Sequence, residues 1–270
     1  MKDLDDHKKI AVLIDADNAQ YSKVKAILDE ISAHGHIVIK RAYGDWSSDN
    51  LKNWKKSLNE LAIQPVQQFA YTTGKNSTDA SMIIDAMDLL YSKRFDAFAL
   101  VSSDSDFTKL ASRLREDEMF VFGVGERKTP ISFRNSCDDF VFTENLGGED
   151  STPIKATDTP QEQEGKKGLN DPTELIPLLT KAWEQYQDDD GWANASVAGS
   201  FLKRSMPDFD PRSYGASKLW QLLEGLKGKL DIAKQEGNQV LYRVKPRKVK
   251  AKGKNQSQNK TSFPRAEEYA

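Results

Sequence analysis

Along the first 145 residues, short runs of β-branched and aromatic residues alternate with stretches whose apolar positions recur at helical spacing. Ile10-Ala11-Val12-Leu13-Ile14 is apolar without a break, the pattern of a parallel strand buried on both faces, and Val24, Ile27, Leu28 and Ile31 then mark one face of a helix. The same reading predicts strands at Ile37-Val38-Ile39 with Tyr43, at Pro65-Val66-Gln67-Gln68-Phe69, and over 97–101 and 119–124. Helices are predicted near 51–62, 79–91 and 106–116, and Phe140-Val141-Phe142 reads as a last edge strand. Parallel neighbours need long crossovers, so this order predicts an α/β fold: an open parallel sheet with helices on both faces. A ligand site belongs outside the carboxyl ends of its strands.

The pattern changes after residue 146. Residues 147–171 are Gly, Glu, Asp, Thr, Pro and Lys with hardly an apolar side chain, the composition of a flexible linker. Apolar stripes resume at Leu175, Ile176, Leu178, Leu179, Ala182, Trp183 and Tyr186, then at Val197, Phe201 and Leu202, and then at Leu219, Trp220, Leu222, Leu223 and Leu226. Ile232-Ala233-Lys234 and Val240-Leu241-Tyr242-Arg243-Val244 flank a Gly-containing turn and predict a hairpin. Three helices and a terminal hairpin suggest a small α+β winged helix-turn-helix domain. The expected organisation is a first domain over 1–146, the linker over 147–171, the small domain over 172–245 and a basic disordered tail over 246–270.

Composition narrows the chemistry. Cys137 is the only cysteine among 270 residues and there are three histidines, so thiolate zinc cages and most histidine metal sites are excluded and any metal ligands must be oxygens. No apolar run is long enough to span a bilayer and the first residues lack a signal-peptide layout, so a soluble, intracellular, cytoplasmic protein is expected, with no membrane partner. Charge is segregated: residues 1–150 hold 19 Lys+Arg against 25 Asp+Glu, and residues 151–270 hold 20 against 16. Eight of those bases lie from Lys245 onward with two acids, a tail that favours a polyanion such as nucleic acid.

Three acidic segments fall where ligand chemistry is expected. Asp15 ends the first strand in Ile14-Asp15-Ala16-Asp17-Asn18, Asp104 and Asp106 follow the strand at 97–101, and Asp79 opens the inward stripe of Ile83, Ala86, Met87 and Leu90. Taken singly, Asp17, Asn18, Ser103, Asp104 and Asp106 also suit helix capping, and Asp85 and Asp88 fall outside the stripe, toward solvent. Taken together, the strands ending at Asp15 and Asp104 can flank a topological switch point, so that four carboxylates meet in one notch. Without a cation they would repel, and an all-oxygen site of that charge suits Mg²⁺ or Mn²⁺. Trp46, after the second strand, either stacks an unpaired base or packs with Trp54 as partial core.

Those segments, with Lys75-Asn76-Ser77-Thr78-Asp79 and Ser103-Asp104-Ser105-Asp106-Phe107 in that order, resemble the NYN domain family of PIN-like nucleases over about residues 8–146. The resemblance implies RNA cleavage with a divalent metal held by Asp15, Asp79, Asp104 and Asp106, with Asn18 as a polar helper. Asp17 has no role in that pattern. Asp208-Phe209-Asp210-Pro211-Arg212-Ser213-Tyr214-Gly215-Ala216-Ser217-Lys218-Leu219 and the following hairpin are similar to the LOTUS (OST-HTH) domain, an RNA-binding winged helix. A metal-dependent ribonuclease acting on single-stranded RNA is therefore expected, with room for a homodimer or a protein partner through the second domain. Two alternatives stay open: a catalytically silent RNA-binding or adaptor protein, and a haloacid dehalogenase-type phosphatase, whose Asp15-Ala16-Asp17 motif would need Thr where this chain has Ala19.

Overall fold

The structure, a computed structural model, describes residues 8–68, 77–147, 169–235 and 239–245. The expected tail, most of the expected linker, Phe69, Lys75, Asn76 and the Gly237 turn lie outside the described residues. Strands β1 (Lys9–Asp15), β2 (His36–Gly44), β3 (Gln64–Gln67), β4 (Ala97–Val101), β5 (Phe120–Gly125) and β6 (Asp139–Phe142) form one six-stranded sheet in the order β3-β2-β1-β4-β5-β6, parallel throughout. Helices α1 (Val24–Ser32) and α2 (Trp54–Glu60) cover one face, and α3 (Ser77–Tyr91), α4 (Thr108–Glu116) and α5 (Ile131–Ser136) cover the other.

The unbroken apolar run of β1 follows from this double cover. Side chains alternate across a strand, so Ile10, Val12 and Ile14 enter the core beneath α1 and α2 while Ala11 and Leu13 enter the core beneath α3, α4 and α5. β4 divides in the same way, with Ala97, Ala99 and Val101 on the first side and Phe98 and Leu100 on the second.

Two elements of this half escape the sequence pattern. α5 is six residues long, too short to display a period, and starts behind Pro130. α2 is shorter than its expected 51–62 span because a separate 3-10 turn, Asp49–Leu51, precedes it with Ser48 as its cap.

The small domain packs α6 (Ile176–Tyr186), α7 (Ala195–Ser205) and α8 (Leu219–Gly225) against an antiparallel sheet ordered β7-β9-β8, from β7 (Ala193–Asn194), β8 (Leu230–Lys234) and β9 (Val240–Val244). The hairpin therefore gains a third strand, two residues long, that pattern alone does not reveal. Leu179, Leu202, Leu223, Leu230 and Tyr242 are its fully buried core, and the Tyr242 hydroxyl donates to the Leu179 carbonyl at 2.9 Å. Trp183, partly buried against that core, donates its indole N–H to the Gly191 carbonyl.

Gly123 in β5 shows how tightly the edge of the main sheet is closed. A Cβ there would clash with the edge of the Phe140 ring and lie 2.7 Å from the Cys137 sulfur. Gly123→Ala should therefore destabilise the fold by about 1–3 kcal/mol through overpacking, read as a lower denaturation midpoint at unchanged slope. An unchanged midpoint would mean that β5 and β6 are less closely packed than described.

Candidate metal centre at the strand switch

The order of the main sheet reverses between β1 and β4: β2 and β3 lie to one side of β1, and β4, β5 and β6 to the other. Helices diverge at such a point and leave a crevice at the carboxyl ends of the two strands. Asp15 is the last residue of β1 and Ser102 the first after β4, and the register pairs Ile14 with Val101 just before them. The two side chains meet, with the Ser102 hydroxyl donating to Asp15 Oδ2 at 2.8 Å.

Asp15 has no exposed surface at all. Asn18 Nδ2 also donates to Oδ2 at 2.8 Å, while Oδ1 is buried with no hydrogen-bond partner among the described residues. Burial pushes the Asp15 carboxyl above its ordinary range, the hydrogen bonds from Asn18 and Ser102 oppose that shift, and the Asp17 charge adds to it. A carboxylate oxygen left dry and unpaired is costly unless something cationic reaches it.

Asp79 lies in the first turn of α3 and is 9 % exposed. The stripe that carries it runs through Met82, Ala86 and Leu90, with Ile83 at its partly buried border, so its inward position is as expected although the stripe is rotated slightly. Asp104 caps the 3-10 turn Ser105–Phe107, accepting the Asp106 N–H at 3.0 Å, and Asp106 sits in that turn. Capping and ligand duty are thus compatible here. Asp79, Asp104 and Asp106 each place a carboxylate oxygen so that all three lie within 4.8 Å of one another. Burial pushes the Asp79 carboxyl up to about 6, and the charges of Asp15, Asp104, Asp106 and Asp17 all push it the same way.

This donor set fits a hard divalent cation. Three carboxylates of graded exposure offer oxygen ligands, and Asp15, outside that group of three, keeps a buried Oδ1 without a hydrogen-bond partner among the described residues. Asn18 and Ser102 hold Asp15 rather than join the cluster, and Asn18 does not cap the following helix. Ser102 was absent from the expected set; its signal was its position, directly after the strand that flanks β1. Asp17 accepts the Thr78 hydroxyl at 2.9 Å, joining the loop after β1 to the start of α3.

One expectation changes, and one open alternative is decided. Asp85 does not face solvent: Arg41 and Tyr43, two apart on β2 and so on one face, both reach its carboxylate across α3. The triad pins the helix that carries Asp79 to the sheet. Trp46 is partial core rather than an exposed stacking platform, its indole N–H donating to the Val66 carbonyl at 3.0 Å and its ring lying edge-on to Trp54. Cys137 is buried and its thiol is pushed up to about 12, which leaves no nucleophilic sulfur.

A groove of about 620 Å³ opens beside the acids between α3, α4 and α5, with Asp79, Asp106, Ile83, Thr108, Lys109 and Ser132 on its walls. No described helix is long and apolar enough to cross a membrane.

Residues 9–145, which contain the sheet and every acid of the notch, match the NYN domain model. The chain belongs to the NYN domain family. Residues 171–242 match the OST-HTH/LOTUS domain, and they contain the three helices and nearly all of the small sheet that follow the NYN domain. An uncharacterised protein from Methanocaldococcus jannaschii is 30% identical over 122 residues, 43% of this chain and 47% of its own, so the match spans about half of that curated relative. A crystal structure of a protein of unknown function from Vibrio parahaemolyticus aligns with a TM-score of 0.43 at 20% identity, over 52% of this chain and 94% of its own. A solution structure of an uncharacterised protein from Nitrosomonas europaea aligns with a TM-score of 0.24 at 27% identity, over 37% and 93%.

The raised Asp79 carboxyl makes stability depend on pH. The folded NYN domain holds that proton more tightly than the unfolded chain, so the contribution of this group falls as pH rises from its ordinary 3.8 through about 6. In chelator, the melting temperature of wild type should fall relative to Asp79→Asn between pH 5 and pH 7, and Mg²⁺ or Mn²⁺ should recover the loss at pH 7. Parallel pH profiles for the two proteins would contradict the crowding of charge at this site.

Proposed function

We propose that this protein is a metal-dependent ribonuclease that hydrolyses phosphodiester bonds of single-stranded RNA, with the OST-HTH/LOTUS domain and the basic tail holding the substrate. The observation that carries the reading is the convergence of Asp79, Asp104 and Asp106 within 4.8 Å, beside a buried Asp15 with an orphaned oxygen, at the switch point of a parallel sheet. NYN domains are generally nucleases and OST-HTH domains bind RNA, and the pairing of the two in one chain supports the same reading.

Asp79, Asp104, Asp106 and Asp15 are the residues that would hold Mg²⁺ or Mn²⁺. Such an ion supplies a Lewis acid and an activated water for in-line attack on a phosphodiester. Asn18 and Ser102 orient Asp15 by fixing one of its oxygens, and the other is buried without a hydrogen-bond partner among the described residues. The Arg41–Asp85–Tyr43 triad fixes α3, and with it the position of Asp79. The groove beside the acids offers hydroxyls, an apolar wall at Ile83 and the Lys109 cation to the sugar-phosphate chain. In a haloacid dehalogenase-type phosphatase Asp15 would itself attack phosphorus. Its complete burial and its two anchoring hydrogen bonds speak against that role, as does Ala19.

Asp104→Asn removes a ligand charge but keeps a side chain that caps a helical turn about as well, so the fold should persist. Loss of even an outer-shell partner of a metal typically costs 10–100-fold, and this variant should lose at least roughly 100-fold in cleavage of labelled single-stranded RNA with Mn²⁺. Its melting temperature in chelator should match or exceed that of wild type. Equal cleavage by the two proteins, or phosphate trapped on Asp15 in an acid quench during turnover, would overturn the assignment.

A further inference from the structure

The composition of residues 147–171 suggests two domains on a loose tether, yet the described residues on either side of that segment are joined by a dense polar contact. Its centre is Arg212, in the loop between α7 and α8. The guanidinium grips both oxygens of Glu30 on α1, at 3.1 and 2.9 Å, and its Nε donates to Asp210 at 2.8 Å. Asn145, just past β6, donates to Asp210 Oδ2 at 3.1 Å and to the Ser213 hydroxyl at 2.9 Å. Asp210 and Ser213 are both buried. Two further ion pairs, Arg134 with Asp208 and Lys203 with Asp139, flank this centre.

The backbone takes part as well. β6 is the edge strand of the main sheet, and the outward N–H of Phe140 donates to the Pro207 carbonyl at 2.9 Å. The loop of the small domain thus covers an edge that would otherwise present unpaired backbone groups. Glu30 makes the same point in electrostatics: an acid in the last turn of α1 is unfavourably placed for the helix dipole, and its cation comes from the other domain.

The contact leaves α8 and the β8–β9 hairpin of the small domain uncovered. α8 and the β8–β9 wing contribute no residue to these bonds, and Lys218, Lys227, Lys229, Lys234 and Lys245 on or beside them are exposed. We propose that the Arg212 clamp makes the two domains one rigid unit, in which a single RNA strand held on α8 and the wing reaches the carboxylate notch in a constant register. The proposal rests on the ribonuclease reading for its substrate, but not for the docking itself.

The test uses the full chain with Glu30→Lys, which sets two cations against each other while giving α1 a favourable C-terminal residue, so α1 itself is not weakened. Glu60→Lys, at the exposed end of α2, is the control, and Asp208→Ala is a second interface variant. Amide exchange at Phe140 should be protected in wild type and in the control, and should become about tenfold faster or more in both interface variants. With oligouridines of increasing length, the wild-type affinity should rise in one step at the length that spans both sites, and Glu30→Lys should blur that step.

Unchanged Phe140 exchange in both interface variants would overturn the clamp. A faster Phe140 with an unaltered length dependence would overturn the constant register. Failure of wild type to bind any oligouridine would sink the register together with the RNA reading, while Phe140 exchange would still decide the docking.

Discussion

Asp15, Asp79, Asp104 and Asp106 stand within electrostatic reach of one another because the backbone gives them no other place to go. Two come from the turn after β4, one from the end of β1 and one from the first turn of a helix that packs over β1 and β2. Each element is held by its own packing, so the carboxylates cannot separate without loss of hydrophobic burial on at least one face of the sheet. Burial, with the repulsion of the neighbouring acids added to it, pushes the Asp79 carboxyl up, and burial leaves one Asp15 oxygen without a partner among the described residues. A fold that holds like charges together in this way is prearranged for a cation.

The surrounding polar groups keep that arrangement rigid. Asn18 and Ser102 each fix the same oxygen of Asp15, and Thr78 fixes Asp17, so both ends of the notch are anchored by short side chains with little freedom. Arg41 and Tyr43 do the same for α3 from beneath, through Asp85. A charge buried against a helix is stabilising only when fully partnered, and Asp85 has two donors where a solvent-facing residue would have needed none. Positioning of the acids is therefore distributed over both strands that flank β1.

Ion pairs of both polarities join the halves: Arg212 and Lys203 of the small domain meet Glu30 and Asp139, and Arg134 of the first domain meets Asp208. Bidentate guanidinium pairing adds geometry to attraction, since both oxygens of Glu30 must face the fork at once. Exposed lysines on and beside α8 and the wing lie outside the contact, where Lys227 and Lys234 pair with Glu224 and Lys245 pairs with Asp231.

Period and composition alone carried the parallel sheet, the segments of its strands and three acidic sites, because a doubly covered strand must be apolar on both faces and strand ends are where polar residues can begin. Asp15 and Asp104 were legible for that reason, and Asp79 from its place at the head of an inward helical stripe. The same signal could not show α5 or β7, which are too short to repeat a period, nor the rotation of the α3 stripe that puts Met82 rather than Ile83 at its centre. It also assigned Asp85 to solvent and left Trp46 undecided, since a helix face looks polar wherever it meets a polar partner on another element. Ser102, the Arg41–Asp85–Tyr43 triad and the Arg212 clamp join residues from 42 to 182 positions apart. Such pairs exist only once the sheet has set which strand ends and helix ends are neighbours, and that is a decision of tertiary packing.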